Sequence, residues 1–365
     1  MFIEEIDGQD HEEFANHERI VRCHDETSGL RAIIAIHNSN LGPALGGCRR
    51  YPYQSEADAL TDVLRLSKGM TYKSALANLP LGGGKSVIIS DPKTAPREDL
   101  MATMGAFIET LDGAYIGAED SGIGVADIRA MATKTEHVAG MVERVLPDGT
   151  TANGDPSPST AYGVYVGIRA SLGHRFGNTS LDGVNVAVQG VGNVGRNLTE
   201  LLVKGGATVH IADAYQGAID RILNSDIGDK VKVVDNDTIH TLPVEVYAPC
   251  ALGGALNTTS LVELRAPIVA GAANNQLAND GAGQYLFHKG TLYAPDFVIN
   301  AGGIIDIYYE REGYDHSKVI EHIDRIAQTL DEIYRHSESA QMPTHITAEK
   351  LGEARFMGVD IGAVA

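Results

Sequence analysis

Residues 186–198 read VAVQGVGNVGRNL. A strand-like apolar run meets Gly190, Gly192 and Gly195, spaced G-x-G-x-x-G, and a helical pattern follows over 193–205. In a strand–turn–helix unit each glycine has its own physical task. Gly190 makes the tight turn, Gly192 lets the backbone approach a pyrophosphate at the helix N-terminus, and Gly195 lets helix and strand pack closely. Glycines so spaced are a weak signal by themselves. Here the next apolar run, ATVHIAD (207–213), ends on Asp213, 18 residues after the last glycine. A carboxylate there accepts hydrogen bonds from both ribose hydroxyls of NAD and repels the 2′-phosphate of NADP. The stretch therefore predicts a Rossmann domain for NAD.

Working outward, α/β alternation continues on both sides. A helical pattern over 160–174 precedes the glycine turn, and short strands are predicted near 245–248, 267–270 and 297–299. Such alternation implies a parallel sheet with helices on both faces. Long helical patterns at 316–336 and 347–356 close the chain. Upstream, LPDGTTANGDPSPST (146–160) is dense in turn formers and is predicted to be a hinge. The expected organisation is a mixed α/β domain over 1–150, to which 337–365 returns, and a Rossmann domain over 151–336. In the first domain, LRAIIAIHN (30–38) and SVIIS (86–90) read as strands, 55–70 as a helix capped by Ser55, 97–111 as a second helix and 114–120 as a strand.

The chain has 365 residues and a net charge of −19, which disfavours nucleic acid and anionic membranes as partners. The acidic start MFIEEIDGQD has no apolar core of a signal peptide, and no run reaches membrane-spanning length. Three scattered cysteines and scattered histidines suggest reduced thiols in a cytoplasm and no metal site.

One segment resists the obvious reading. LPLGGGKSVII (79–89) places Gly84, Lys85 and Ser86 as a P-loop would, but Leu79 stands where its first glycine belongs, and the segment runs into a strand rather than a helix. Lys85 needs another task.

Several strings supply it. LGPALGGCR (41–49), GMTYKSALANLPLGGGKSVI (69–88), AEDSGIGVADI (118–128), DPSPSTAYGV (155–164), GAANNQL (271–277) and VINAGGIID (298–306) resemble the amino-acid dehydrogenases that oxidise glutamate, leucine, valine or phenylalanine, across nearly the whole chain. The likeness is strongest to the leucine, valine and phenylalanine branch. It implies a substrate-binding and oligomerisation domain, a Rossmann domain and a cleft between them.

By this resemblance Lys85 is the catalytic base, Asp120 shuttles protons with the amino group, and Lys73 holds the α-carboxylate. Burial and a second cation would disfavour the charge of Lys85 and lower its pKa, as a base near neutral pH requires. A simple helix cap remains open for Asp120, and an N-cap for Thr160. The likeness also places Thr160 at the nicotinamide, and Ala251, Asn274 and Asn300 beside the turn residues Gly190, Val191, Gly192, Asn193, Val194, Gly195 and Arg196, with Asn275 on the substrate side. Either kind of asparagine could instead satisfy buried backbone.

The glutamate branch carries Lys where this chain has Leu45, before Gly46 and Gly47, and a small hydroxyl residue where it has Ile307. A pocket of Leu45, Ala118, Ile304 and Ile307 would be apolar and would reject a carboxylate. Asp306, beside it, is the dissonant residue. Cys48 and the SGIG turn (121–124) depart from the branch, which should adjust packing rather than chemistry.

The expected activity is reversible NAD-dependent oxidative deamination of a branched aliphatic L-amino acid, with closure about the hinge excluding water. A phenylalanine-preferring enzyme and a catalytically silent NAD-binding regulator are the rivals. A homo-oligomer, octamer or dimer, is implied by the family.

Overall fold

The computed structural model describes residues 1–93, 97–142, 144–145, 151–152, 154–251 and 253–364. Its contacts divide the chain into two units: 1–155 with 307–316 and 352–365, and 156–306 with 317–351.

The first unit contains β1 (Phe2–Glu5), β2 (Arg19–Asp25), β3 (Leu30–Asn38), β4 (Ala44–Tyr51), α1 (Glu56–Leu76), β5 (Gly82–Ile89), α2 (Arg97–Glu109), β6 (Tyr115–Ala118) and α3 (Val125–Met131), with a short ladder of β7 (Arg144–Val145) and β8 (Thr151–Ala152). Among the described residues the main sheet has the order β1-β2-β3-β5-β4-β6. β3 runs antiparallel to β5, whereas β5, β4 and β6 are mutually parallel. β3 is apolar at nearly every position because both faces of the sheet are covered. Ile33 and Ala35 pack with Val87 against Ala59, Val63 and Leu64 of α1. Ala32, Ile34 and Ile36 pack with Leu100, Met104, Ile128 and Met131 of α2 and α3. Ser55 caps α1 as expected, accepting from the Asp58 N–H at 3.1 Å.

The second unit contains α4 (Ser157–Phe176), β9 (Asn185–Gln189), α5 (Asn193–Lys204), β10 (Thr208–Ala212), α6 (Gln216–Leu223), β11 (Val231–Val233), β12 (Val246–Pro249), α7 (Thr258–Glu263), β13 (Ile268–Val269), α8 (Asp280–Lys289), β14 (Leu292–Tyr293) and α9 (Asp296–Ile299). From α10 (Gly302–Arg311) the chain continues through α11 (His316–Asp324), α12 (Ile326–Ala340) and α13 (Thr344–Met357). Its sheet is parallel throughout, in the order β11-β10-β9-β12-β13-β14. Renumbered within the unit that is 3-2-1-4-5-6, the Rossmann order, with the switch point between β9 and β12.

Four expectations are corrected. The strand expected at 86–90 begins at Gly82, so the glycines and Lys85 are strand residues. The strand expected at 297–299 is α9, started by Pro295, and the edge strand is β14. The single helix expected at 316–336 is broken between Asp324 and Ile326. The return to the first unit begins at 352 rather than 337, because Thr344 donates to the Tyr293 carbonyl and so fastens the start of α13 to β14. Of the expected hinge at 146–160, residues 146–150 and 153 lie outside the described residues.

Candidate active site

Strand alternation decides which side chains of the first unit meet. Residues i and i+2 share a face of a strand. Val87 faces α1, so Lys85 does too. On β4, Ala44 and Cys48 point into the α2–α3 core, which leaves Leu45, Gly47 and Arg49 on the α1 face. The β4–β5 register pairs Leu45 with Gly83 and Arg49 with Val87, so Gly47 lies beside Lys85. The β4–β6 register pairs Gly47 with Ala118, and its continuation brings Asp120 level with Arg49.

The side chains follow that frame. Lys85 Nζ lies 2.6 Å from Asp120 Oδ2, and Lys85 is only 6% exposed. Arg49 Nε donates to the same oxygen at 3.1 Å, and Arg49 Nη1 reaches Asp62 Oδ2 of α1 at 3.0 Å. Burial alone would push the Asp120 carboxyl up, but the charges of Lys85 and Arg49 and the Lys85 hydrogen bond outweigh it and hold it at about 2. Next to it, burial followed by the charges of Asp155, Glu310 and Asp127 pushes Glu119 up to about 7.

Gly47 makes this arrangement possible. A Cβ there would stand 2.7 Å from Asp120 Cβ and 3.0 Å from Lys85 Nζ. Gly46 is equally constrained from the other side, since its Cβ would lie 1.8 Å from the Gly84 carbonyl oxygen. Beneath them the buried Tyr115 hydroxyl donates to the Gly46 carbonyl at 2.8 Å and lies 3.0 Å from Ser86 Oγ. α1 comes down onto β5 at Gly83, whose Cβ would fall 2.0 Å from the Thr71 nitrogen. Half-buried Lys73 stands two residues after Thr71, and buried Lys85 two residues after Gly83. Leu45 and Ala118 are 2% and 3% exposed, and both are apolar neighbours of Gly46 and Gly47 in the sheet.

Asp120 is not a helix cap: Gly124 begins α3, and its N–H is held by Asp127 at 3.0 Å. The group in contact with Lys85 Nζ is the Asp120 carboxylate. Cys48 lies on the opposite face of β4, its thiol pushed up to about 12 by burial, so its departure from the branch concerns core packing.

In the second unit, Gly190 turns with φ +94°, which favours glycine, and packs on Ala251, which follows β12. A Cβ on Gly195 would meet the Gly190 carbonyl oxygen at 1.9 Å, so α5 can start only over a glycine. Gly192 has no atom within 4 Å of where its Cβ would be. This is the room a diphosphate needs at the N-terminus of α5, where Asn193, Val194 and Arg196 form the first turn. Asp213 accepts from the Val191 N–H at 2.7 Å through Oδ2 and from the Tyr215 N–H at 2.8 Å through Oδ1. The turn and the carboxylate are thus locked together, with lone pairs on both oxygens to spare.

Helix α4 starts at Ser157, so Thr160 is no N-cap; it lies in the first turn and donates to the Pro156 carbonyl at 3.0 Å. Asn300 caps the end of α9 and donates to the Ala272 carbonyl at 3.1 Å and to Asn274 Oδ1 at 2.6 Å. Asn275 is exposed, in left-handed backbone with φ +51°. Ile304 and Ile307 share a face of α10 at i, i+3 and are 6% and 8% exposed. Asp306 turns toward α4, where its Oδ2 accepts from Ser159 Oγ at 2.9 Å.

Arg49, Asp62, Tyr53, Tyr115 and Ser86 are the residues that sequence reasoning missed. Arg49 ends the GGCR string, but its two partners lie 13 and 71 positions away, and neither distance suggests a contact.

Known proteins agree with this architecture. The chain matches the model of the Glu/Leu/Phe/Val dehydrogenase dimerisation domain over residues 17–137. It matches the glutamate/leucine/phenylalanine/valine dehydrogenase model over 154–222 and 216–352. It is 42% identical over 341 residues to a leucine dehydrogenase of Bacillus subtilis, covering 93% of this chain and 92% of that one. It is 42% identical over 346 residues to a valine dehydrogenase of Streptomyces virginiae, covering 95% of each. The crystal structure of L-tryptophan dehydrogenase from Nostoc punctiforme matches with a TM-score of 0.81 at 40% identity, covering 94% of this chain and 96% of that one.

Proposed function

The chain belongs to the glutamate/leucine/phenylalanine/valine dehydrogenase family and is an amino-acid dehydrogenase, and on that premise we propose that it deaminates an apolar L-amino acid of the leucine or valine type with NAD⁺. The products are the 2-oxo acid, ammonium and NADH. The observation that carries the reading is the ion pair of buried Lys85 with part-buried Asp120 beside Gly47, next to apolar Leu45 and Ala118.

The dinucleotide, held by the 190–196 turn and Asp213, supplies the acceptor for the hydride from Cα. Asp213 favours NAD⁺, because a 2′-phosphate would bring two negative groups together. Everything else falls to the chain. Lys73 holds the α-carboxylate, and Thr160, Asn274 and Asn300 orient the nicotinamide side, with Asn275 on the substrate side. Loss of hydride leaves an iminium, whose carbon is attacked by water. Lys85 Nζ takes the proton of that water, and Asp120 Oδ2 exchanges a proton with the nitrogen that leaves as ammonium. Burial of Lys85 limits the access of bulk water to its amine.

Leu45, Ala118, Ile304 and Ile307 are assigned to the substrate side chain. The Ser159 hydroxyl on Asp306 accounts for that carboxylate without a polar substrate. The first unit carries the segment that matches a dimerisation domain, so assembly into a homo-oligomer is part of the reading.

The test is steady-state kinetics on L-leucine, L-valine, L-phenylalanine, L-tryptophan and L-glutamate. kcat/KM for L-leucine or L-valine is expected to exceed that for L-glutamate by at least about a hundredfold, the scale of a few kcal/mol of carboxylate desolvation. Leu45→Lys should lower aliphatic activity and raise glutamate activity. Comparable wild-type activity on leucine and glutamate would refute the pocket assignment.

A further inference from the structure

The Lys85–Asp120 pair is not isolated. Asp120 Oδ2 also takes Arg49 Nε; Arg49 Nη1 takes Asp62 Oδ2; and the Tyr53 hydroxyl donates to that same Asp62 oxygen. These groups alternate in charge: ammonium, carboxylate, guanidinium, carboxylate, with a phenol at the end. Lys85 is buried, whereas Arg49, Asp120 and Asp62 are about a quarter exposed. The row ends in a surface groove lined by Tyr51, Tyr53, Asp58 and Arg65.

Each link has a reason in the fold. Arg49 lies two residues past Gly47 on the same face of β4, and Asp62 is in the part of α1 that crosses that face. The edge-on contact of Tyr51 with Tyr53, ring centroids 5.2 Å apart, fixes the chain after β4 so that Tyr53 reaches Asp62. The guanidinium is planar and forked, so one Arg can serve two carboxylates at once; a lysine cannot hold both in this geometry.

Resting on the function proposed above, we infer that Arg49 is a positioning residue for the reaction: it divides its charge between Asp120 and Asp62, and with Tyr53 sets how much of Asp120 is left to Lys85. Asp120 must face Lys85 and the substrate nitrogen with one oxygen while it exchanges a proton. Unrestrained it could rotate, or leave its full charge on the Lys85 ammonium and hold its proton in place. Arg49 prevents both. Asp62 in turn prevents Arg49 from collapsing wholly onto Asp120, and Tyr53 fixes Asp62. Among the described residues, the other groups around the pair include Cys48 on β4, Ser86 on β5, Tyr115 on β6, Glu119 beside Asp120, Asp127 on α3 and, acting on Glu119, Asp155 and Glu310.

The division of charge makes an opposite-sign prediction that a structural role does not. The acid limb of the kcat/KM–pH profile for one apolar L-amino acid reports proton loss from the pair as a unit. Arg49→Gln removes a cation, so the proton is held more tightly and the limb moves to higher pH by about one unit. Asp62→Asn removes an anion and moves the limb to lower pH. Arg49→Gln is also expected to lower kcat at least about tenfold, the lower end of what misplacing a proton-transfer group costs, with KM changed less than about threefold. Arg49→Lys should restore the limb but not the rate. Tyr53→Phe, which deletes a single hydroxyl, should lower kcat by a smaller factor at unchanged KM, and serves where the charge variants fold poorly.

Shifts of the same sign in both charge variants, or none, would overturn the inference while leaving the wild-type activity and the proposed function standing. So would a loss in Tyr53→Phe that falls on KM alone. A wild-type protein that forms no NADH from any L-amino acid would bring down the proposed function, and this inference with it.

Discussion

The glycine turn of residues 190–195 and the Lys85–Asp120 pair, the two sites to which the proposed reaction is assigned, are built in opposite ways. The turn is made of backbone. Gly190, Gly192 and Gly195 act through what they lack, and all stand within six consecutive residues. The pair is made of side chains 35 positions apart, joined only because β4, β5 and β6 run parallel in a particular register. Local chemistry writes itself into local sequence. Chemistry assembled by register does not.

The largest effect that tests this contrast is expected at Lys85. Lys85→Ala should lower kcat by about a hundred- to ten-thousandfold, the usual cost of losing a placed acid–base group, while NADH affinity by fluorescence titration stays within about twofold. Equal loss of both would mean that Lys85 supports the dinucleotide rather than the chemistry.

Next is Gly47→Ala. The added methyl must displace Asp120, Lys85 or the Glu119 carbonyl, each within 3.0 Å of it. A displacement of about 1 Å in a catalytic group costs on the order of a hundredfold, so kcat should fall on that scale with NADH binding again spared. Near-normal turnover in this variant would show that the spacing between β4 and β5 does not set the pair.

What the sequence made legible follows the same division. The glycine turn, the strand leading to Asp213 and the parallel sheet could be read residue by residue, because they rest on consecutive residues and period-2 runs. Lys85 and Asp120 needed a family resemblance, since a lysine in a strand and an aspartate after another strand carry no joint signal. Arg49 stood in a quoted motif without a role, for its partners come from α1 and from the loop after β6. The error at 297–299 has a simple cause: a short apolar run fits a strand or one buried helical turn equally well, and Pro295 decided for the helix.

Asp213 gives a smaller effect, on the other side of the comparison. Asp213→Ala should weaken NAD⁺ by about tenfold, the scale of a lost charged hydrogen bond, and narrow the preference over NADP⁺, with kcat at saturation largely kept. Part of the loss will come from the Val191 N–H, which Asp213 also holds. A wild-type preference for NADP⁺ would contradict the role given to Asp213.

The smallest effect concerns stability. Burial, then the positive neighbours His17 and Lys68, lowers His37 from its ordinary 6.5 to about 4. The unfolded chain then binds the proton more tightly than the folded one. The stability associated with neutral His37 is therefore complete above pH 6.5 and is lost as pH falls from 6.5 toward 4. His37 holds Thr71 of α1 at 2.8 Å, so the first unit should feel this loss. Thermal melts should show a drop between pH 6.5 and 4.5 that is smaller in His37→Gln, by roughly 2 to 4 °C. An identical drop in both would place the titration elsewhere.

The central claim, that this chain couples amine loss to dinucleotide reduction, is tested most directly by measuring NADH and ammonium together after the purified protein meets L-leucine and NAD⁺. Equimolar formation of both, absent in Lys85→Ala, is the predicted result. NADH without ammonium, or neither product from leucine or any other apolar L-amino acid, would contradict it.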